Sequence, residues 1–209
     1  MIEAIFQHIF WLGHDSFRID ATSTIYVDPY DLPDNSPAAD IVLVTHEHFD
    51  HCSPADIAKI QKDQTIIFTE KDSAAKLSGD VRTMKPGDTS SVSDIQITAV
   101  PAYNIDKQFH PKINGWLGFI VELEGVRVYH AGDTDFIPEM GDLEVDIALL
   151  PVSGTYVMNV EQAVRAAGVI KPKIAVPMHF GAIVGSQQDA ESFKGELEGL
   201  IEVRILEKT

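Results

Sequence analysis

The chain has 209 residues, with 16 Lys and Arg against 32 Asp and Glu, a formal net charge of -16 at pH 7. That balance repels phosphate backbones and anionic membranes, so nucleic-acid binding is not expected, and no apolar run approaches the roughly 20 residues of a membrane-spanning helix. The length suits one domain spanning residues 1–209; one cysteine, Cys52, and an N-terminus without a basic segment before an apolar core predict a cytoplasmic protein with no internal disulfide.

In chain order, residues 5–11, 17–19 and 24–27 are short β-rich runs joined by tight turns and predict three strands. A Pro- and Asp-rich loop follows Asp28, then the β-branched run 41–44, which predicts a buried strand. Directly after it, His46, His48, Asp50 and His51 fall within six residues. The stretch closes on Ser53, Pro54 and Asp56, a helix cap, a first-position proline and a first-turn acid, so a helix is expected over 54–61. A strand over 65–69, a helix over 70–77 and a strand over 95–100 come next. Residues 103–115 are irregular and carry Asn104 and His110; loops of this length are often functional. Strands are expected over 117–123 and 126–129, joined by Glu124-Gly125, and over 145–150, whose uninterrupted apolar run suits a strand covered on both faces. Asn159 with Gln162 resembles a capping box, and Gly168 is placed to end that helix. A strand over 174–176, an acidic helix over 187–200 and a strand over 202–206 complete the chain. Both halves run from strands into strand-helix alternation, which predicts mixed sheets with helices outside, an α/β (α+β) architecture.

Residues two apart in an extended loop point the same way, so His46 and His48 can bind one metal ion together while Asp50 and His51 turn toward a second. Imidazole and carboxylate are donors that zinc accepts. The cluster needs further ligands, and Asp133 and His179 stand at equivalent places after later strands. Asp28, at a strand end, is the candidate acceptor that fixes a ligand imidazole.

The His-x-His-x-Asp-His cluster, Gly132-Asp133 after a strand and Pro177-x-His179-x-Gly181 together resemble the metallo-β-lactamase-fold hydrolase superfamily. Within it the chain looks most similar to the branch of zinc-dependent hydrolases related to ascorbate-phosphate lactonase and N-acyl-phosphatidylethanolamine phospholipase D. The resemblance implies a four-layer αββα sandwich with two metals at the edge between the sheets. It places His46 and His48 on the first, Asp50, His51 and His179 on the second, with Asp133 bridging and Asp50 and Asp133 in catalysis. His14 would line the pocket. One position departs: the segment that usually ends in a third histidine reads Pro101-Ala102-Tyr103-Asn104. Either the amide of Asn104 leaves a weakened first site, or His110 substitutes, which is the favoured expectation.

The activity expected is hydrolysis of an ester, lactone or phosphodiester by metal-bound hydroxide, with one or two zinc ions, or manganese or iron in their place. Two divalent ions less two carboxylates and a hydroxide leave about one positive charge, which would draw an anionic small molecule. The alternative is a metal-binding or ligand-binding protein on the same fold that has lost catalysis. His8, His130 and Cys52 are expected to be structural. The oligomeric state is not legible.

Overall fold

The computed structural model describes residues 1–209. The first half contains α1 (Ile2–Phe6), β1 (Ile9–Gly13), β2 (Ser16–Asp20), β3 (Thr24–Val27), β4 (Ile41–Val44), α2 (Pro54–Ile60), β5 (Ile66–Thr69), α3 (Lys71–Ala74) and β6 (Asp80–Thr83). The second contains β7 (Thr89–Val92), β8 (Ile95–Pro101), β9 (Leu117–Leu123), β10 (Val126–His130), β11 (Ile147–Pro151), α4 (Val160–Ile170), β12 (Ile174–Met178), α5 (Gln187–Glu196) and β13 (Glu202–Val203). Each half makes one sheet, six strands in the order β1 to β6 and seven in the order β13 to β7. Both begin as antiparallel neighbours and continue as parallel ones, from β3 to β6 and from β10 to β13.

The pleat explains the layers. Alternate residues of a strand point to opposite faces, and along β4 Ile41 and Leu43 enter the core shared by the two sheets while Val42 and Val44 pack with Ile57 and Ile60 of α2. Helix α4 closes the far side, with Ala163, Ala166, Ala167 and Ile170 packed into the shared core beside β11. The αββα order expected from the resemblance is the one found. Burial of Ile57 and Ile60 is worth roughly 1.5–3 kcal/mol each, which fixes α2 and therefore the end of the loop 45–53.

Several local expectations are corrected. Ile5 and Phe6 are helical, because Ile2, Ile5 and Phe6 share the three-to-four-residue spacing that lets one helix face meet the core. Gly168 lies inside α4, which runs on to Ile170 and ends with Lys171 in the left-handed region at φ 53°. β6 and β7 were not anticipated: they are exposed, polar strands on sheet edges, with too little buried apolar face to set up an alternation. Helix α3 stops at Ala74 and α5 at Glu196, and the last strand is reduced to Glu202–Val203.

The duplicated topology positions the site. Asp28 follows β3, the His46 to His51 cluster follows β4, Asp133 follows β10, Ser153 follows β11 and His179 follows β12. The carboxyl ends of both sets of parallel strands therefore deliver these residues to one edge. The two edges are joined where the Leu117 N–H donates to the Thr45 carbonyl at 3.0 Å. Gly132 permits this approach: its φ is 61°, and a Cβ there would meet the Leu117 carbonyl oxygen at 2.7 Å.

Candidate metal centre

Two donor sets converge on Asp133. In the first, the ligating atoms of His46, His48 and His110 lie within 4.8 Å of one another. Nε2 of His46 and Nδ1 of His48 are 3.0 Å apart, and Nε2 of His110 is 3.1 Å from Oδ2 of Asp133. In the second, Nε2 of His51 and Nε2 of His179 each lie 3.4 Å from Oδ1 of Asp133. Asp50 stands beside this second set, its Oδ2 3.8 Å from His51 Nε2. His14 belongs to the same neighbourhood, with Nε2 3.1 Å from Asp50 Oδ2 and its donor atom within 4.8 Å of those of His51 and His179.

Four of the imidazoles, His46, His51, His110 and His179, are aimed by a partner on the nitrogen away from the centre. The carboxylate of Asp28 accepts from the Thr45 N–H at 2.8 Å, from the Thr45 hydroxyl at 2.7 Å and from His51 Nδ1 at 2.8 Å. The Thr45 hydroxyl, its proton spent on Asp28, accepts from His46 Nδ1 at 3.0 Å. His179 Nδ1 pairs with the Ser153 hydroxyl at 2.8 Å. Asn104 does not join the donors. Its Oδ1 accepts from the His110 N–H at 3.0 Å and from His110 Nδ1 at 3.1 Å, while its amide N–H donates to the Tyr156 carbonyl at 2.9 Å. The residue in the place of a ligand thus orients the histidine that stands with His46 and His48.

Strain marks the same loops. His14, Asp28 and His179 are non-glycine residues at φ 52°, 46° and 61°, conformations that cost about 1–3 kcal/mol each and persist where the surrounding structure over-determines them. Two of these loops are tied together by the His179 N–H donating to the His14 carbonyl at 3.1 Å.

Electrostatics agree with a cation site. Burial alone would raise the Asp133 carboxyl and lower the His51 and His179 imidazoles, but their mutual attraction outweighs it. Asp133 falls well below the usual carboxylate range, His51 rises well above the usual imidazole range, and His179 rises to about 9. His46 and His48, desolvated by burial and facing other imidazoles, are lowered. Buried Nε2 of His51, His110 and His179 and Oδ1 of Asp133 carry no hydrogen bond. Imidazole nitrogens and a carboxylate oxygen gathered without hydrogen bonds at one buried point that draws positive charge fit a divalent ion, which on binding would take the place of the protons on His51 and His179. Zinc, manganese and ferrous iron all accept this donor chemistry.

One site residue lay outside the sequence reading. Asp15 is fully buried, and its carboxylate lies within 4.8 Å of the donor atoms of His51, Asp133 and His179. An acid in the turn Gly13-His14-Asp15-Ser16 reads as a turn former; the available signal was its adjacency to His14. The anticipated structural histidine His130 supports it, since its Nδ1 accepts from the Gly132 N–H and its Nε2 donates to the Asp15 carbonyl at 2.8 Å. Cys52 is buried, its thiol pushed up by burial, and takes no part in the cluster.

The centre opens to a cavity of about 310 Å³ lined by His48, Asp50, His110 and Asp133 on one side and Phe49, Phe109, Tyr156 and Ile183 on the other. Phe49 is 67% exposed and Phe109 50%, so the mouth is apolar. Tyr103, Trp116 and Phe180 are buried and take no part in lining the cavity.

Residues 8–179 match the model of the beta-lactamase superfamily domain. A UPF0173 metal-dependent hydrolase of Archaeoglobus fulgidus is 37% identical over 95% of this chain and 95% of its own. Among solved structures, one from Parabacteroides distasonis with a provisional metal-dependent-hydrolase assignment is 40% identical, with a TM-score of 0.87 over 96% of this chain and 93% of that one. Igni18, a metallo hydrolase from Ignicoccus hospitalis, is 27% identical, with a TM-score of 0.78 over 96% and 94%. The chain belongs to the metallo-beta-lactamase superfamily, and within it to the UPF0173 metal-dependent hydrolases.

Proposed function

We propose that this hydrolase acts at a two-ion centre on a neutral ester or lactone bearing an apolar group. The single observation behind the two-ion reading is the position of Asp133, whose Oδ2 faces His110 and whose Oδ1 faces His51 and His179. In this reading His46, His48 and His110 hold one ion, Asp50, His51 and His179 the other, and Asp133 lies between. Bound there, divalent ions would act as Lewis acids, polarising a substrate oxygen and bringing the pKa of water down toward roughly 7.

The remaining work falls to the chain's own side chains. Asp28, Thr45 and Ser153 keep the imidazole lone pairs directed inward. His14 occupies one oxygen of Asp50, which lines the cavity, so the other oxygen is the candidate acceptor for the proton of an attacking water. Phe49, Phe109, Tyr156 and Ile183 exclude bulk water and seat the apolar part of the substrate.

An anionic substrate follows from counting charge on the ions and their ligands alone, but no Lys or Arg lines the cavity. Phosphodiester and carboxylate groups lack a cationic partner there beyond the ions themselves, so neutral esters and lactones are favoured. The test is turnover across matched aryl and alkyl esters, lactones and phosphodiesters, with chelator controls. Metal-dependent cleavage of the neutral apolar members supports the reading. No turnover by protein loaded with two ions supports the non-catalytic alternative.

A further inference from the structure

Asp15 is 0% exposed, and neither of its carboxylate oxygens has a hydrogen-bond partner. Burial pushes the Asp15 carboxyl well above the usual carboxylate range, more than the nearby His179 and His51 imidazoles offset; no Lys or Arg reaches it, so a cation at this point is what would keep it ionised. Its backbone cannot release it. The Asp15 carbonyl is held by His130 Nε2, and the preceding carbonyl, of His14, by the His179 N–H. Its Oδ2 lies 3.9 Å from His51 Nδ1, which is already committed to Asp28 at 2.8 Å. That leaves the point shared with His51, Asp133 and His179, whose donor atoms and its own lie within 4.8 Å of one another. Nε2 of His51, Nε2 of His179 and Oδ1 of Asp133 are likewise without hydrogen bonds.

We propose that Asp15 is a ligand of the ion on the His51 and His179 side, making that side an oxygen-rich site that selects manganese or ferrous iron over zinc. This rests on the two-ion reading above. With Asp15, two imidazoles meet three carboxylates, Asp15, Asp50 and Asp133, which is more than the tetrahedral set zinc prefers and suits harder ions of higher coordination number. The His46, His48 and His110 side remains imidazole-rich and suits zinc. Two divalent ions against these three carboxylates and a hydroxide leave no net charge, one positive charge fewer than with Asp50 and Asp133 alone, which also favours a neutral substrate.

The test compares the full-length protein with Asp15→Asn and Asp15→Ser by Mn2+ and Zn2+ titration and by thermal unfolding in chelator and in added Mn2+. The wild type is expected to bind two ions per chain, with Mn2+ favoured at one of them. Asp15→Asn should weaken Mn2+ at that one site at least tenfold, leave the other unchanged, and shrink the rise in unfolding midpoint that added Mn2+ gives over chelator. Asp15→Ser carries the same readouts should the asparagine variant fail to fold. Two ions bound with unchanged Mn2+ affinity, or an undiminished rise in midpoint with Mn2+ over chelator in both variants, would overturn the role of Asp15 while leaving the two-ion centre standing. No ion above trace in the wild type would overturn the two-ion reading and the role of Asp15 with it.

Discussion

The carboxamide oxygen of Asn104 accepts from both the backbone N–H and Nδ1 of His110, at 3.0 and 3.1 Å. This pair converts a missing ligand into an orienting group: with Nδ1 donating, the lone pair of His110 sits on Nε2, facing Asp133. His110→Ala should take metal content from two ions per chain toward one, measured by elemental analysis after dialysis. Asn104→Ala should weaken the same site about 10- to 100-fold without abolishing it. Unchanged stoichiometry in His110→Ala would remove it from the ligand set.

Asp28 supports two imidazoles at once, His51 directly and His46 through Thr45. Asp28→Asn keeps the shape and tolerates the left-handed backbone at φ 46°, yet cannot accept from all three donors. Metal affinity should fall about 10- to 100-fold, with Thr45→Ala affecting the His46 side more. Equal affinity in Asp28→Asn would show that the imidazoles are oriented without it.

Phe109 meets Tyr156 edge to face, ring centroids 4.7 Å apart, at the mouth of the cavity. Half exposed, it has about 1 kcal/mol of apolar contact to offer a substrate. Phe109→Ala should raise KM about three- to tenfold for esters with a large apolar group and leave kcat and the KM of small esters near wild type. An equal change for both substrate sizes would place Phe109 outside substrate binding.

The loop entering the centre is anchored by Asp56. Burial pushes its carboxyl up, but the Ser53 hydroxyl, the Lys59 ammonium and the N–H groups of Leu32 and Asp31 outweigh burial and hold it below the ordinary range. A folded-state pKa below the unfolded one stabilises above the ordinary carboxyl pKa of about 3.9, and that stability is lost as pH falls through the folded value. Asp56→Ala should cost about 1–3 kcal/mol at pH 7, where two backbone donors lose their acceptor. The difference from wild type should shrink in denaturant titrations near pH 3. A constant difference at both pH values would contradict an ionised Asp56.

Much of this was legible in the chain. The β4 run and the Ser53-Pro54-Asp56 cap encode themselves through local rules of burial and capping, and both stand as read. His46 to His51 drew notice because four donors in six residues have no cheaper explanation. Asp15 did not, because a lone turn acid has one, and only burial across sheets reveals that its carboxylate is unpaired. Asn104 was noticed as a gap, but its hydrogen bonds to His110 depend on how residues 104–110 fold back, which periodicity cannot show. β6 and β7 escaped because exposed edge strands carry no hydrophobic alternation.

In the proposed centre His46, His48, His110, Asp50, His51 and His179 hold two ions about Asp133. Metal content of protein purified without chelator and supplemented with Zn2+ or Mn2+ tests it most directly, measured beside Asp133→Ala. Two ions per chain in the wild type, falling to one or fewer in the variant, is the expected result. No ion above trace in the wild type, or two ions undiminished in Asp133→Ala, would contradict it.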